Sequence, residues 1–474
     1  MRLERPCGRS PKWRVMVLVA ANEPQASGGM LDALPLSSFQ VWSVLMIAAT
    51  VILDGLDNQM LGLAAPSLIK EWGMGRQVLG TVFALGFVGM AIGTLASGWL
   101  SDRFGRRNAL IFGVGLFGIA TFATGFSQSL VQIAAFKMLA GIGLGGVPGT
   151  ATAMIAEFTP VRWRSVAVTF GVVCVSIGGI IGGVAASLIL PGLGWRWLFY
   201  IGGAITLLFG MVLYRFLPES PRFLAERPER QHELSAMLRR IGHPTPDRIQ
   251  LAQAAGQAPA AFVPMRTLVQ TPLLRDSVAL SVAMLSGMFM IYLMFNWAPT
   301  LLVSLDFTLP TASLGLTAFN LGGTIGAMLA SFAIIRFGSR VPLIAMALVG
   351  TAACATLALL PIAGGRNESA LLAGLCALGL FASAAQSAMF AVGAHAFPTA
   401  VRGRGLGLMG AFGRLGAILS AFSGSWLIGV GNFGFFGVLS ILMLVNAIGF
   451  FAVRGHVPRV SPADARVTRR ETYA

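Results

Sequence analysis

The sequence predicts an all-α polytopic membrane protein, with twelve transmembrane helices arranged as two six-helix halves. Three observations lead there. The 474 residues are 55% hydrophobic and only 11% charged, with a mean hydropathy of +0.77, whereas soluble domains carry about 25% charged residues. The apolar residues fall into twelve runs separated by short polar breaks. The second six runs repeat glycine and arginine spacings found in the first six.

A bilayer core of about 30 Å needs about 20 apolar residues per helix. Charged, proline and glycine punctuation delimits runs over 41–69, 78–100, 108–126, 130–155, 165–190, 196–217, 277–303, 311–335, 341–361, 369–394, 405–428 and 432–453. The expected units are a tail (1–38), a six-helix bundle (39–217), a linker (218–276), a second bundle (277–454) and a second tail (455–474). The first tail carries Arg2, Arg5, Arg9, Lys12 and Arg14 ahead of a short apolar piece, 15–21. That imitates a signal peptide, but the piece is short, and a disordered tail or a start at Met30 is the preferred reading.

The net charge of +16 does not signal nucleic acid, because the basic residues sit in the breaks between apolar runs and not on a soluble module. Arg103, Arg106 and Arg107, Arg162 and Arg164, Arg336 and Arg340, and Arg402 and Arg404 share one set of short loops with the basic 218–276 segment. The positive-inside rule makes that set cytoplasmic, with both termini inside. Cys7, Cys174, Cys354 and Cys376 have no metal-ligand spacing, and the four histidines are scattered; no metal or cofactor is expected.

At a constant offset, Gly89, Gly93, Arg103, Phe104, Gly105 and Arg107 align with Gly322, Gly326, Arg336, Phe337, Gly338 and Arg340. Duplicated six-helix units are the pattern of a transporter whose site lies between the repeats.

Inside the first run stand Asp54 and Asp57, separated by Gly55 and Leu56. Residues i and i+3 are neighbours on a helix surface, and carboxylates in a membrane segment mark ion or substrate pathways. The competing reading is a polar helix end near the interface. The pair stands about 20 to 24 Å along its helix from Val41. Lys137 lies about 10 Å into the fourth run and Arg414 about 14 Å into the eleventh, so all four are expected to border one cavity. Each cation has a plainer reading, an ion pair with one of the acids that only holds helices together.

The stretch Gly98-Trp-Leu-Ser-Asp102-Arg103-Phe-Gly105-Arg106-Arg107 resembles the second loop of the major facilitator superfamily. Within it, Asp54-Gly-Leu-Asp57, Pro66, Trp72-Gly73, Trp297-Ala-Pro299, Phe319-Asn-Leu-Gly-Gly323, Gln386, Phe397-Pro-Thr-Ala-Val-Arg402 and Gly413-Arg414-Leu-Gly-Ala417 are similar to the aromatic acid:proton symporters. Departures are Lys137 where that group usually has arginine, Phe390 for asparagine, Phe397 for tyrosine, and Ile335 where the second-half copy of the loop expects an acid.

The resemblance implies the major facilitator fold and proton-coupled uptake of an aromatic or related organic acid anion by alternating access. Asp54 or Asp57 would take the proton, while Arg414, alone or with Lys137, would recognise the carboxylate. Tyr292, Phe87 and Phe390 are aromatics for a ring, though aromatics in membrane helices more often pack or anchor; Asn296, Asn320 and Gln386 are donors for its substituents. It further implies a cytoplasmic latch of Gly98, Asp102, Arg103, Gly105 and Arg107, with Asp102 paired to Arg103 or Arg107 and extended by Glu157 with Arg162. The expected setting is the bacterial inner membrane, with membrane lipid, protons and a small organic acid as partners and a monomer as the working unit. No nucleotide-binding loop or catalytic constellation recurs, so a pump or enzyme is not expected. The alternatives are a sugar or drug transporter of the same fold and a ligand sensor that does not transport.

Overall fold

The computed structural model describes residues 36–241, 273–362, 364–398 and 401–459. Residues 1–35 of the expected tail, the alternative start at Met30, 242–272 of the linker and 460–474 lie outside them. Among the described residues there is no strand. Twelve helices are long and apolar enough to cross a membrane.

The first half comprises α1 (Ser38–Trp72), α2 (Arg76–Phe104), α3 (Arg106–Thr124), α4 (Leu130–Phe158), α5 (Val161–Gly192) and α6 (Trp195–Phe216). Two short helices follow, α7 (Pro221–Ala225) and α8 (Gln231–Ile241). The second half comprises α9 (Leu273–Ser304), α10 (Leu309–Phe337), α11 (Arg340–Leu359), α12 (Glu368–Ala396), α13 (Arg402–Gly429) and α14 (Gly431–Ala452).

Local chemistry sets the helix ends. Ser37 and Gln40 form a reciprocal capping box at the start of α1, satisfying two amides that the first turn leaves free. Gly105 and Gly338, matched in the repeat, have φ of 98° and 77° and break α2 from α3 and α10 from α11. Side chains rarely tolerate that region, and glycine does.

The repeat is visible in the packing. A Cβ at Gly89 or Gly93 would strike the Met138 or Ile142 carbonyl of α4, and one at Gly322 or Gly326 would strike Cys376 or Leu380 of α12. Small residues let α2 lie on α4 and α10 on α12, where dispersion between close backbones replaces the absent hydrophobic drive. The pairs α1 with α5 and α9 with α13 follow suit, through Gly55 under the Val175 carbonyl and Gly416 under that of Leu285.

The expected linker is not all loop. Helix α8 carries Leu234, Met237, Leu238 and Ile241 on one buried stripe, the spacing of an amphipathic helix. Arg240 stacks 6.0 Å from the Phe39 ring, so α8 seats against the start of α1.

The halves meet along α1 with α9, α2 with α13 and α5 with α10. Arg103, Arg106, Arg107, Arg336, Arg340, Arg402 and Arg404 lie at the end where α1 starts and α14 stops, called here the basic end. Contact is closest at the opposite end. Gly62 lies under the Phe295 carbonyl, Gly80 under that of Ala421, and Gly183 against Thr317. Along α2 and α13 contact reaches inward to Met90, Thr94 and Arg414. Nearer the basic end, no described atom lies within 4 Å of a Cβ built at Gly98, Gly407 or Gly410. The halves are closed at the opposite end and part toward the basic end.

Candidate functional site

Helix α1 supplies four consecutive-turn polar residues, Asp54, Asp57, Asn58 and Gln59, and the structure sends them to different neighbours. Asp57 is 1% exposed. Its Oδ2 accepts from Lys137 Nζ of α4 at 3.1 Å, its backbone carbonyl accepts from the same ammonium at 3.3 Å, and its Oδ1 accepts from Thr121 Oγ1 of α3. The ion pair thus ties helices of the first half together, with the Phe199 ring 6.0 Å from the ammonium.

Asp54 is equally buried at 1%. Its one hydrogen bond among the described residues comes from Asn58 Nδ2 at a long 3.5 Å. Among the described residues no cation lies within 4.0 Å of it, although the field of Arg414, across the interface on α13, reaches both Asp54 and the Tyr292 hydroxyl. Arg414 is half-buried; its contacts include Met90 Sδ at 3.7 Å, Thr94 Oγ1 at 3.5 Å and the Tyr292 hydroxyl. Among the described residues no carboxylate stands within ion-pair distance of its guanidinium. An arginine retains its charge on burial.

Beside Lys137 lies a cavity of about 30 Å³ lined by Asn58, Phe83, Phe87, Lys137, Asn296 and their neighbours; Asp54, Asp57 and Arg414, expected to border one cavity with Lys137, do not line it. It has room for a water and not for an aromatic ring. The aromatic residues fill the rest themselves: Phe87 meets Tyr292 at 4.6 Å and Phe83 meets Trp297 at 5.3 Å between ring centroids, both across the interface. Asn296 Nδ2, Trp297 Nε1 and Thr300 Oγ1 are buried without hydrogen-bond partners.

Asn320 sits elsewhere. Its amide exchanges hydrogen bonds with Gln59, Nδ2 to Oε1 at 2.8 Å and Gln59 Nε2 to Asn320 Oδ1 at 3.2 Å. This reciprocal pair joins α1 to α10 between the halves, both side chains at most 1% exposed, with Gly179 of α5 packed beneath it. Gln386 is apart from the other residues expected at the site, donating to Met284 Sδ at 3.1 Å inside the second half. Phe390, one turn on, is exposed.

At the basic end the expected Asp102 pairing is absent. The Asp102 side chain is exposed, and no cation lies within 4.0 Å of its carboxylate among the described residues. Its expected partners are engaged: Arg107 donates to the Leu217 and Tyr214 carbonyls that end α6, and Arg103 stacks on Trp99 and Phe104. The acids at work there are Glu219, which accepts the Arg107 amide at 3.0 Å beside Gly105, and Glu157, which pairs with Arg106 and accepts from Ser220 Oγ. Glu157 was expected to join Arg162, whose side chain lies outside the described set; among the described residues Glu157 pairs with Arg106.

A family model described as Major Facilitator Superfamily matches residues 47–315 and 299–472. The chain belongs to the major facilitator superfamily. It is 33% identical to the 4-hydroxybenzoate transporter PcaK of Pseudomonas aeruginosa over 89% of this chain and 94% of that one. It is 31% identical to the gallate transporter of Pseudomonas putida, covering 92% and 95%. The inward-open xylose transporter XylE of Escherichia coli superposes with a TM-score of 0.70 at 19% identity, over 90% of this chain and 99% of that one. This last likeness concerns the fold. As a facilitator, the chain is an integral membrane protein.

Asn58, Gln59, Thr121, Arg106 and Glu219 were not singled out from sequence. Gln59 carried the same signal as the aspartates, a polar side chain deep in an apolar run. Thr121 carried none, since a threonine in a membrane helix ordinarily bonds back to its own backbone, as Thr124 does to Ala120.

Proposed function

We propose that the chain is a secondary transporter that takes up an aromatic carboxylic acid together with a proton by alternating access, across the bacterial inner membrane. The basic end faces the cytoplasm in this reading, so the conformation described is open inward, and the working unit is a monomer. The observation that carries the proposal is the opposition of Arg414, a half-buried cation without a carboxylate partner, to Asp54, a buried carboxyl without a cation. An unpaired buried charge is costly, and such a group is neutral instead. Asp54 is therefore the proton carrier, and the substrate carboxylate takes the Arg414 guanidinium, whose fork suits it. When Asp54 releases its proton, its carboxylate competes for Arg414 and displaces the substrate. That competition is the coupling.

Lys137 has its ammonium on Asp57, so its role is to fix α1 against α3 and α4, and Asp57 holds it there. Tyr292 and Phe87 close over the site from the outer side and would open to a ring. The pair Gln59 and Asn320 locks that outer seam. Asn296 keeps a free amide donor for a ring hydroxyl, and Gln386 and Phe390 border the inward path.

Radiolabelled 4-hydroxybenzoate, gallate, benzoate and xylose, offered to proteoliposomes with an inward proton gradient, test the proposal. An aromatic acid accumulates, a protonophore abolishes the accumulation, and Asp54→Asn keeps exchange while losing uphill uptake. Accumulation of xylose alone, acid binding without counterflow, or gradient-driven uptake by Asp54→Asn overturns it.

A further inference from the structure

A groove of about 500 Å³ runs between α9 and α14 at the basic end. Its floor is small, Ala279, Gly449 and Ala452, and its walls are Leu274, Val278, Val282, Val445 and Ile448. Gly449 explains the depth: a Cβ there would press on Ala283 and the Ala279 carbonyl, so the two helices touch along the floor while the larger side chains rise on either side. Leu274, Val278, Val282 and Ile448 are exposed, which in a membrane-spanning bundle means they face acyl chains. From Arg275 to Val282 the groove is about 10 Å long, the length of the upper part of one chain.

Its mouth is basic. Arg275 lies across it, exposed, and held by a bond from Nε to the Ala452 carbonyl at 2.8 Å. Arg454 is exposed beside it. Among the described residues the acid at hand, Asp276, is 7% exposed, its Oδ1 accepting the Arg454 amide at 2.9 Å. A fixed guanidinium at headgroup depth above an apolar trough is complementary to a phosphodiester above an acyl chain.

We propose that this groove is a binding site for one anionic phospholipid, with its phosphate on Arg275 and Arg454 and a chain along Val278, Val282, Val445 and Ile448. The competing account is that Arg275 only caps the C-terminus of α14, where a cation is favourable in any case.

The two separate in the full-length protein reconstituted in phosphatidylcholine nanodiscs doped with phosphatidylglycerol, then released and weighed by native mass spectrometry. The wild type retains one phosphatidylglycerol in preference to phosphatidylcholine. Arg275→Gln weakens retention about five-fold, the effect of one basic contact near the surface. Val278→Trp fills the trough without touching the Arg275 cap and weakens it as much, with Val282→Trp as a second filler should the first elute as aggregate. Arg336→Gln, a basic change at the same end, retains the lipid. Retention by both filled variants equal to wild type, equal retention of phosphatidylcholine, or a loss with salt that Arg336→Gln shares overturns the proposal.

Discussion

Asp54 and Asp57 are one helical turn apart and equally buried, yet one is saturated with donors and the other nearly bare. The contrast assigns them different work. Asp57→Asn leaves Lys137 charged and unpaired in the membrane interior, and breaking one side of a buried pair costs about 3 to 5 kcal/mol. The expected outcome is a marked fall in thermal stability in detergent, which Asp57→Asn combined with Lys137→Gln recovers in large part; a double variant as unstable as the single one would mean that the pair is not the cause. The acids were readable from sequence because an ionisable residue inside an apolar run announces itself. Their partners were not, because sequence fixes the depth of a residue along a helix and not which neighbour its side chain meets. Lys137 and Arg414 were accordingly expected to share one cavity, whereas Lys137 pairs with Asp57 of its own half and lines a small cavity that Arg414 does not line.

Among the elements, the twelve helices follow from hydropathy, and the matched glycines of the two halves reappear as matched close contacts of α2 with α4 and α10 with α12. What charge alone concealed was α8, whose buried stripe of four apolar residues sits inside a segment read for its arginines. The tie between α1 and α10 was concealed as well, since Asn320 was expected to meet substrate and Gln59 was passed over. A reciprocal amide pair leaves each partner unsatisfied if the other is removed, at about 1 to 3 kcal/mol per orphan. Gln59→Leu or Asn320→Leu is therefore expected to favour the conformation in which this end is open. The exchange Gln59→Asn with Asn320→Gln keeps both amides and restores the balance. Spin-label distances across the opposite end check this: no shift in either leucine variant, or no recovery in the exchanged one, would remove the pair from the gating account.

At the scale of the whole molecule, the two halves touch at one end and part at the other, and this governs reactivity. With the natural cysteines replaced, Gly410→Cys on the parted side of α13 is expected to react with a membrane-impermeant maleimide much faster than Ser313→Cys, which is 1% exposed in the closed seam. Substrate at low pH narrows the difference as the halves rock. Equal rates without substrate would contradict the parted end. This state was not readable in the sequence, because the same residues must serve every conformation of the cycle. The sequence supplied the duplicated halves and the basic loops, and Asp102, Arg103 and Arg107 carried an expected latch. In the structure, with its basic end apart, Asp102 has no cation within 4.0 Å among the described residues, while Glu219 accepts the Arg107 amide and Glu157, expected beside Arg162, pairs with Arg106.

The pairing of one acid with one base across the moving seam has an electrical consequence. In the proposed cycle the loaded seam would hold a neutral Asp54 and an Arg414 balanced by the substrate anion, and the empty seam Asp54 and Arg414 balanced by each other. Asp57 and Lys137 travel together as a pair of zero net charge. Moving one charge across 100 mV involves about 2.3 kcal/mol, but neither form of the carrier presents such a charge. Membrane voltage then has no purchase on the cycle, and the gradient of protons alone drives it.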